Sequence, residues 1–210
     1  MLKEYKTILN LAVAEIEEKK SRFIATVKPV CTEEEAINFI NELKTRYWDA
    51  THNVYSYYLG GDNVIQRFSD AGEPSGTAGL PVLEVIKRTG VQDLVIVITR
   101  YFGGTLLGAA GLIRAYSKSA AAGIELAGIV RKQLCTEVNL MMEYTLFGKL
   151  QSMLLAKGYA IKNVVYHQDV EMKVYVPVDD CESFAGLIDE FTNARAILEF
   201  GENVYVDGLL

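Results

Sequence analysis

The 210 residues are half hydrophobic and 23% charged, enough apolar material for a sizeable core in one large or two small domains, and too much for global disorder. Three dispersed cysteines (Cys31, Cys135, Cys181) and two histidines (His52, His167) argue against a disulfide framework or a metal centre and for reduced thiols in a cytoplasmic protein. The net charge of −6 is uneven: residues 1–135 carry 16 Lys/Arg against 15 Asp/Glu, residues 136–210 only 5 against 12, so a polyanion would meet the first part, through a local patch.

The opening MLKEYKTILNLAVAEIEEKK has acidic residues throughout and no cleavage-site pattern, so it does not read as a signal peptide. Leu9–Ile16 and Ser21–Val30 read as two extended arms of a hairpin around EEKKS. Thr32 caps a helix with an acidic first turn, an apolar Ala36/Ile37/Ile40/Leu43 face and a basic end. Asn53–Leu59 is a strand by its aromatic and β-branched content, and a Gly-Gly-Asp-Asn turn leads into Val64–Phe68. Ala78–Arg88 is helical, with Pro81 in the opening turn and Gly90 as its stop. Leu94–Thr99 is a continuous apolar run fit for a strand buried on both faces, and too short to span a bilayer. Leu106–Leu126 is a long Gly/Ala-rich helix.

From Ile129–Cys135 onward the pattern changes. Glu137–Met142 is a strand and Tyr144–Lys157 a helix ended by Gly158. Two strands (Ile161–His167, Val170–Val176), a helix (Asp179–Thr192) and a closing strand (Ile197–Val206) follow. This βαββαβ order is the ferredoxin-like pattern. Together the elements predict an α+β chain in two domains, 1–135 and 136–210. The second offers core-like Met141, Met142, Leu146, Leu150, Leu154 and Leu155, and no chemistry.

Two glycine-punctuated segments stand at the mouths of the two central helices of the first domain. In FSDAGEPSGTAG, Ser69, Asp70, Glu73, Ser75, Gly76 and Thr77 suit a phosphate or carboxylate cradle built from hydroxyls and backbone N–H groups. Ser75 or Thr77 would alternatively cap the next helix as part of an ordinary turn. The spacing is neither a Walker loop nor a dinucleotide fingerprint. In TRYFGGT, Arg100, Tyr101, Phe102, Gly103 and Gly104 place a cation, two aromatics and backbone freedom at the end of the most buried strand. That suits base stacking or phosphate clamping; the bland reading completes the core with Phe102 and leaves Arg100 solvated. Arg114 and Lys118, four apart, share a helix face and with Arg100 and Arg67 would form a modest basic patch. A catalytic His52 with Asp70 or Glu73 as its partner, such as a hydrolytic set of Ser69 or Ser75 with His52 and Asp70, would fit these residue types, as would a hydrated Mg²⁺ on Asp70 and Glu73, but no spacing selects any of them.

FSDAGEPSGTAGLPVL together with TRYFGGTLLGAAGLIRAYS resembles the signature of the IMPACT/YigZ family, bacterial branch. KKSRFIA (Lys19–Ala25) and DATHNVYSYYLG (Asp49–Gly60) are also similar to it. One departure is visible: relatives often carry His-His where this chain has Thr51-His52. The resemblance implies an N-terminal ribosomal-protein-type domain with a left-handed βαβ crossover. It also implies a C-terminal ferredoxin-like domain similar to the last domain of elongation factor G. By analogy it implies a non-enzymatic cytoplasmic factor of translation or its regulation, without cofactor or metal, that binds RNA or a ribosome-associated protein through the glycine segments. Arg100→Ala would then flatten the salt dependence of RNA binding. Two other readings stay open: a phosphate- or nucleotide-handling enzyme or small-anion binder using the same segments, and a protein-interaction module using the Tyr55/Tyr57/Tyr58 strand.

Overall fold

The structure, a computed structural model, describes residues 2–61 and 63–208. The apolar run LVIVIT becomes the centre of a five-stranded antiparallel sheet. Strand β6 (Leu94–Tyr101) lies between β3 (Ser21–Pro29) and β4 (His52–Leu59), with β2 (Ala12–Glu18) and β5 (Ile65–Ser69) outside them. Period-two alternation then splits β6 between two cores. Leu94, Ile96 and Ile98 pack with Val82 and Ile86 of α2 (Gly79–Thr89) and with Tyr116 and Ile124 of α3 (Gly108–Ala127). Val95 and Val97 pack on the other face with Phe39, Ile40 and Leu43 of α1 (Glu33–Arg46). The sheet is thus covered on both faces, which is why its central strand reads as uninterrupted apolar sequence.

Local chemistry explains the element ends. Thr32 accepts from the Glu35 N–H at 3.1 Å, and Glu35 accepts from the Cys31 N–H at 2.7 Å, so side chains close the start of α1 from both directions. Gly90 ends α2 in the left-handed region (φ 71°). Gly123 lets α3 lie against β3, since a Cβ there would sit 2.6 Å from a Val27 methyl.

The fold is α+β in two units. The first is Tyr5–Val130; the second gathers Leu2–Glu4 with the described residues from Arg131 onward. In the second, β7 (Ile129–Met142), α4 (Tyr144–Ala156), β8 (Ala160–Tyr166), β9 (Val170–Pro177), α5 (Cys181–Thr192) and β10 (Ile197–Asp207) give the βαββαβ order. Their sheet runs β10-β7-β9-β8, the split-βαβ arrangement in which β9 separates the parallel pair β7 and β8. Met142, Leu146, Leu150 and Leu154 are buried as their spacing requires, whereas Leu155 is exposed. Strand β1 (Glu4–Ile8), not anticipated from the sequence, also pairs with β7.

Among the described residues, no helix is long and apolar enough to cross a membrane. No disulfide joins the three cysteines, and burial pushes the Cys135 thiol up to about 11.

Candidate functional site

The site forms where β6 ends and α3 begins. Arg100 is the last even-numbered residue of β6, so it points to the same face as Ile96 and Ile98, into the layer of α2 and α3. There it is only 5% exposed. A guanidinium this deep needs a counter-charge, because desolvation would otherwise cost several kcal/mol. Glu73, 8% exposed, supplies it. Arg100 Nη1 donates to Glu73 Oε1 at 2.5 Å, and the Tyr116 hydroxyl donates to the same oxygen at 2.7 Å. Burial, and the Glu73 carboxylate beside it, push the Tyr116 phenol far above its ordinary range, so it remains a donor. Phe23 closes the cluster, edge-on to Tyr116 at 5.2 Å and beneath the guanidinium at 5.4 Å.

His52, opposite Arg100 across the β4–β6 ladder, adds a polar wall. Its Nδ1 lies 2.9 Å from the Ala71 carbonyl, so Nδ1 carries the proton and donates. The other ring nitrogen, Nε2, faces Glu73 Oε2 at 3.8 Å. One donor stays unsatisfied: Arg100 Nε has no acceptor among the described residues, while Nη2 reaches only Ser21 Oγ, at 3.5 Å. Buried orphan donors are uncommon and costly.

His52, Glu73 and Arg100 line one side of a cavity of about 370 Å³, whose other walls include Thr51, Phe102, Leu106 and Leu107. Phe102 is 47% and Leu106 83% exposed, so two large apolar side chains stand at its mouth. The first turn of α3 forms part of the wall, and no side chain caps it. The uncapped N–H groups there form the positive end of the helix dipole.

The Impact N-terminal domain matches residues 19–124 of this chain. A domain of unknown function, DUF1949, matches residues 140–195. The chain is also 40% identical over 207 residues to the IMPACT family member YvyE of Bacillus subtilis (strain 168), covering 99% of this chain and 95% of that protein.

The chain belongs to the IMPACT family.

It is 32% identical over 176 residues to the IMPACT family member YigZ of Escherichia coli (strain K12), covering 83% and 86% of the two proteins. A solved structure described as a crystal structure of a hypothetical protein aligns with a TM-score of 0.62 at 28% identity, over 96% of this chain and 98% of that one.

For this IMPACT-family chain the structure gives the two carboxylates of the first glycine segment different work. Asp70 turns to the start of α2: its Oδ1 accepts from the Ala78 and Gly79 N–H groups at 3.1 and 2.8 Å, and its Oδ2 from Gly76 at 2.8 Å. The cradle of N–H groups therefore holds the chain's own anion. The cap of α2 is Asp70, reaching back from the loop, and neither Ser75 nor Thr77; Thr77 Oγ1 donates to the Pro74 carbonyl. Ser69 Oγ accepts from the Ala71 N–H. A Ser69–His52–Asp70 relay is not assembled, because His52 faces Glu73.

The second segment divides by the parity of the strand. Arg100 enters the cluster just described, whereas Tyr101 points to the opposite face and donates to Asp49 at 2.9 Å. Phe102 stays exposed, with its N–H held by Thr51 Oγ1. Gly103 donates its N–H to Ser21 Oγ, and Gly104 adopts φ 82°. Ser75 is exposed. Arg114 and Lys118 do share a face, but the cation beside them is Lys19 of the β2–β3 turn, which no sequence spacing joins to them. Arg100 and Arg67 lie elsewhere: Arg100 is paired inside, and Arg67 is 3.8 Å from Glu33. The tyrosine strand is no free surface either, since Tyr57 is buried with its hydroxyl on Glu33, and burial with that bond pushes its phenol up to about 12.

Proposed function

We propose that this chain is a cytoplasmic, non-enzymatic factor linked to translation or its regulation, which binds RNA or a ribosome-associated protein through its N-terminal unit. The observation that carries this reading is a cavity walled by the buried Arg100–Glu73 pair and fronted by exposed Phe102 and Leu106. Solvent-facing aromatic and aliphatic side chains around a recess with a polar wall suit a partner that brings an apolar face. Charge supports the same unit, because residues 136–210 carry 12 Asp/Glu against 5 Lys/Arg and would repel a polyanion.

Co-sedimentation of the purified chain with ribosomes tests it. Binding should fall steeply between about 50 and 200 mM salt. The structure moves the salt test off Arg100: its charge is already neutralised by Glu73, so the slope should flatten instead on Lys118→Glu or Arg114→Glu.

A second reading, a phosphate-handling enzyme or small-anion binder, is favoured by His52 Nε2 sitting 3.8 Å from the buried Glu73 in the same cavity. No co-sedimentation at low salt, alongside thermal stabilisation by inorganic phosphate, would favour it over the first.

A further inference from the structure

Two recesses flank the start of α3, and Leu107 lines both. The first is the largely apolar cavity with Phe102 at its mouth and Arg100 in its wall. The second, of about 200 Å³, brings together Lys19, Arg114 and Lys118 around a single carboxylate, Glu18. None of these three cations makes an ion pair or hydrogen bond within the described residues. Three unpaired cations in one small recess repel one another unless an anion joins them.

The backbone adds a separate observation. Lys19 and Lys20 both lie in the left-handed region, at φ 47° and 68°, forming the two-residue turn closed by the Glu18–Ser21 pair. Such turns favour Asn-Gly, which takes these angles without strain. Here the chain holds lysines in that strained turn, and one of them faces Arg114 and Lys118.

We propose that the start of α3 is a site for one nucleotide unit, with the phosphate in the Lys19–Arg114–Lys118 recess and the base in the cavity against Phe102. The phosphate supplies the charge the recess lacks. The base supplies a flat face for Phe102. A duplex keeps its bases stacked and cannot present one this way, so the RNA that fits is single-stranded. This inference rests on the reading that the N-terminal unit binds RNA, although a free mononucleotide offers the same chemistry.

Fluorescence anisotropy with the full chain separates the cases. The probes are a labelled single-stranded RNA of about eight nucleotides, a duplex of the same length, and UMP or AMP as competitor. Single strand should bind more tightly than duplex. Phe102→Ala should weaken binding by roughly tenfold without changing the salt slope. Exchanging the turn, Lys19→Asn with Lys20→Gly, should flatten the slope by about 0.7 for each phosphate no longer neutralised. It should do so without lowering the melting temperature, so weaker binding there is not misfolding. Equal binding of duplex and single strand, with Phe102→Ala neutral, would overturn the nucleotide site and leave the RNA reading standing. Mononucleotide binding with the same two sensitivities, and no gain for the oligomer, would keep the site and overturn the RNA reading. Binding of neither at low salt would overturn both.

Discussion

Glu73→Ala should destabilise the N-terminal unit by about 3–5 kcal/mol, because it leaves the Arg100 guanidinium buried without a counter-charge. Tyr116 loses its acceptor in the same step, since both donors converge on Glu73 Oε1. The effect would show as a lower denaturant midpoint with an unchanged slope. Adding Arg100→Met to Glu73→Ala should recover part of the loss, because the isolated charge is then gone, and a double-mutant cycle should return a coupling above about 1 kcal/mol. Additive losses would mean that the pair is not the unit described. The stability contributed by the buried Tyr116 phenol, whose ionisation is pushed up, is fully present below about pH 10 and declines as pH rises beyond it.

Gly103→Ala should be comparably severe for a steric reason. A Cβ at this position would lie 2.0 Å from the Lys20 carbonyl carbon, 2.2 Å from its oxygen and 2.4 Å from the Ser21 nitrogen. These are backbone atoms of the hairpin turn and cannot swing aside as a side chain would. The turn must move, which breaks the bond from the Gly103 N–H to Ser21 Oγ and disturbs the Arg22–Tyr101 pairing. A loss of about 3 kcal/mol or more is expected. Its neighbour is a control of different character: a Cβ on Gly104 meets nothing within 4 Å, and only its φ of 82° opposes a side chain. Gly104→Ala should therefore cost only about 1 kcal/mol. A thermal melt series showing the reverse order would contradict the close approach of the β2–β3 turn to this loop.

Local chemistry carried much of the fold. Thr32 with its run of glutamates announced α1, Gly90 announced the end of α2, and the apolar run in β6 announced a strand covered on both faces. Strand β1 was illegible because its partner is β7, more than a hundred residues away, and KEYKTI has no strong pattern of its own. The early part of β7 was missed for a related reason: Arg131, Lys132 and Gln133 interrupt the alternation, and Lys132 is placed only by its long-range pairing with Asp207.

The site was legible as a place and not as a mechanism. Both glycine segments reach it, yet nothing local distinguishes Asp70, which caps α2, from Glu73, which enters the core. A glutamate is ordinarily exposed, so its burial depends on Arg100 and Tyr116 arriving from other elements. Lys19 was likewise separated from Arg114 and Lys118 by some ninety residues, and only the hairpin turn brings them together.

RNA binding by the N-terminal unit is tested most directly by photo-crosslinking of a 4-thiouridine-containing single-stranded RNA to the full chain, followed by mapping of the modified peptides. Adducts are expected on the segment from Arg100 to Lys118 and on the turn around Lys19, reduced by excess unlabelled RNA. Adducts confined to residues 131–208 would contradict it.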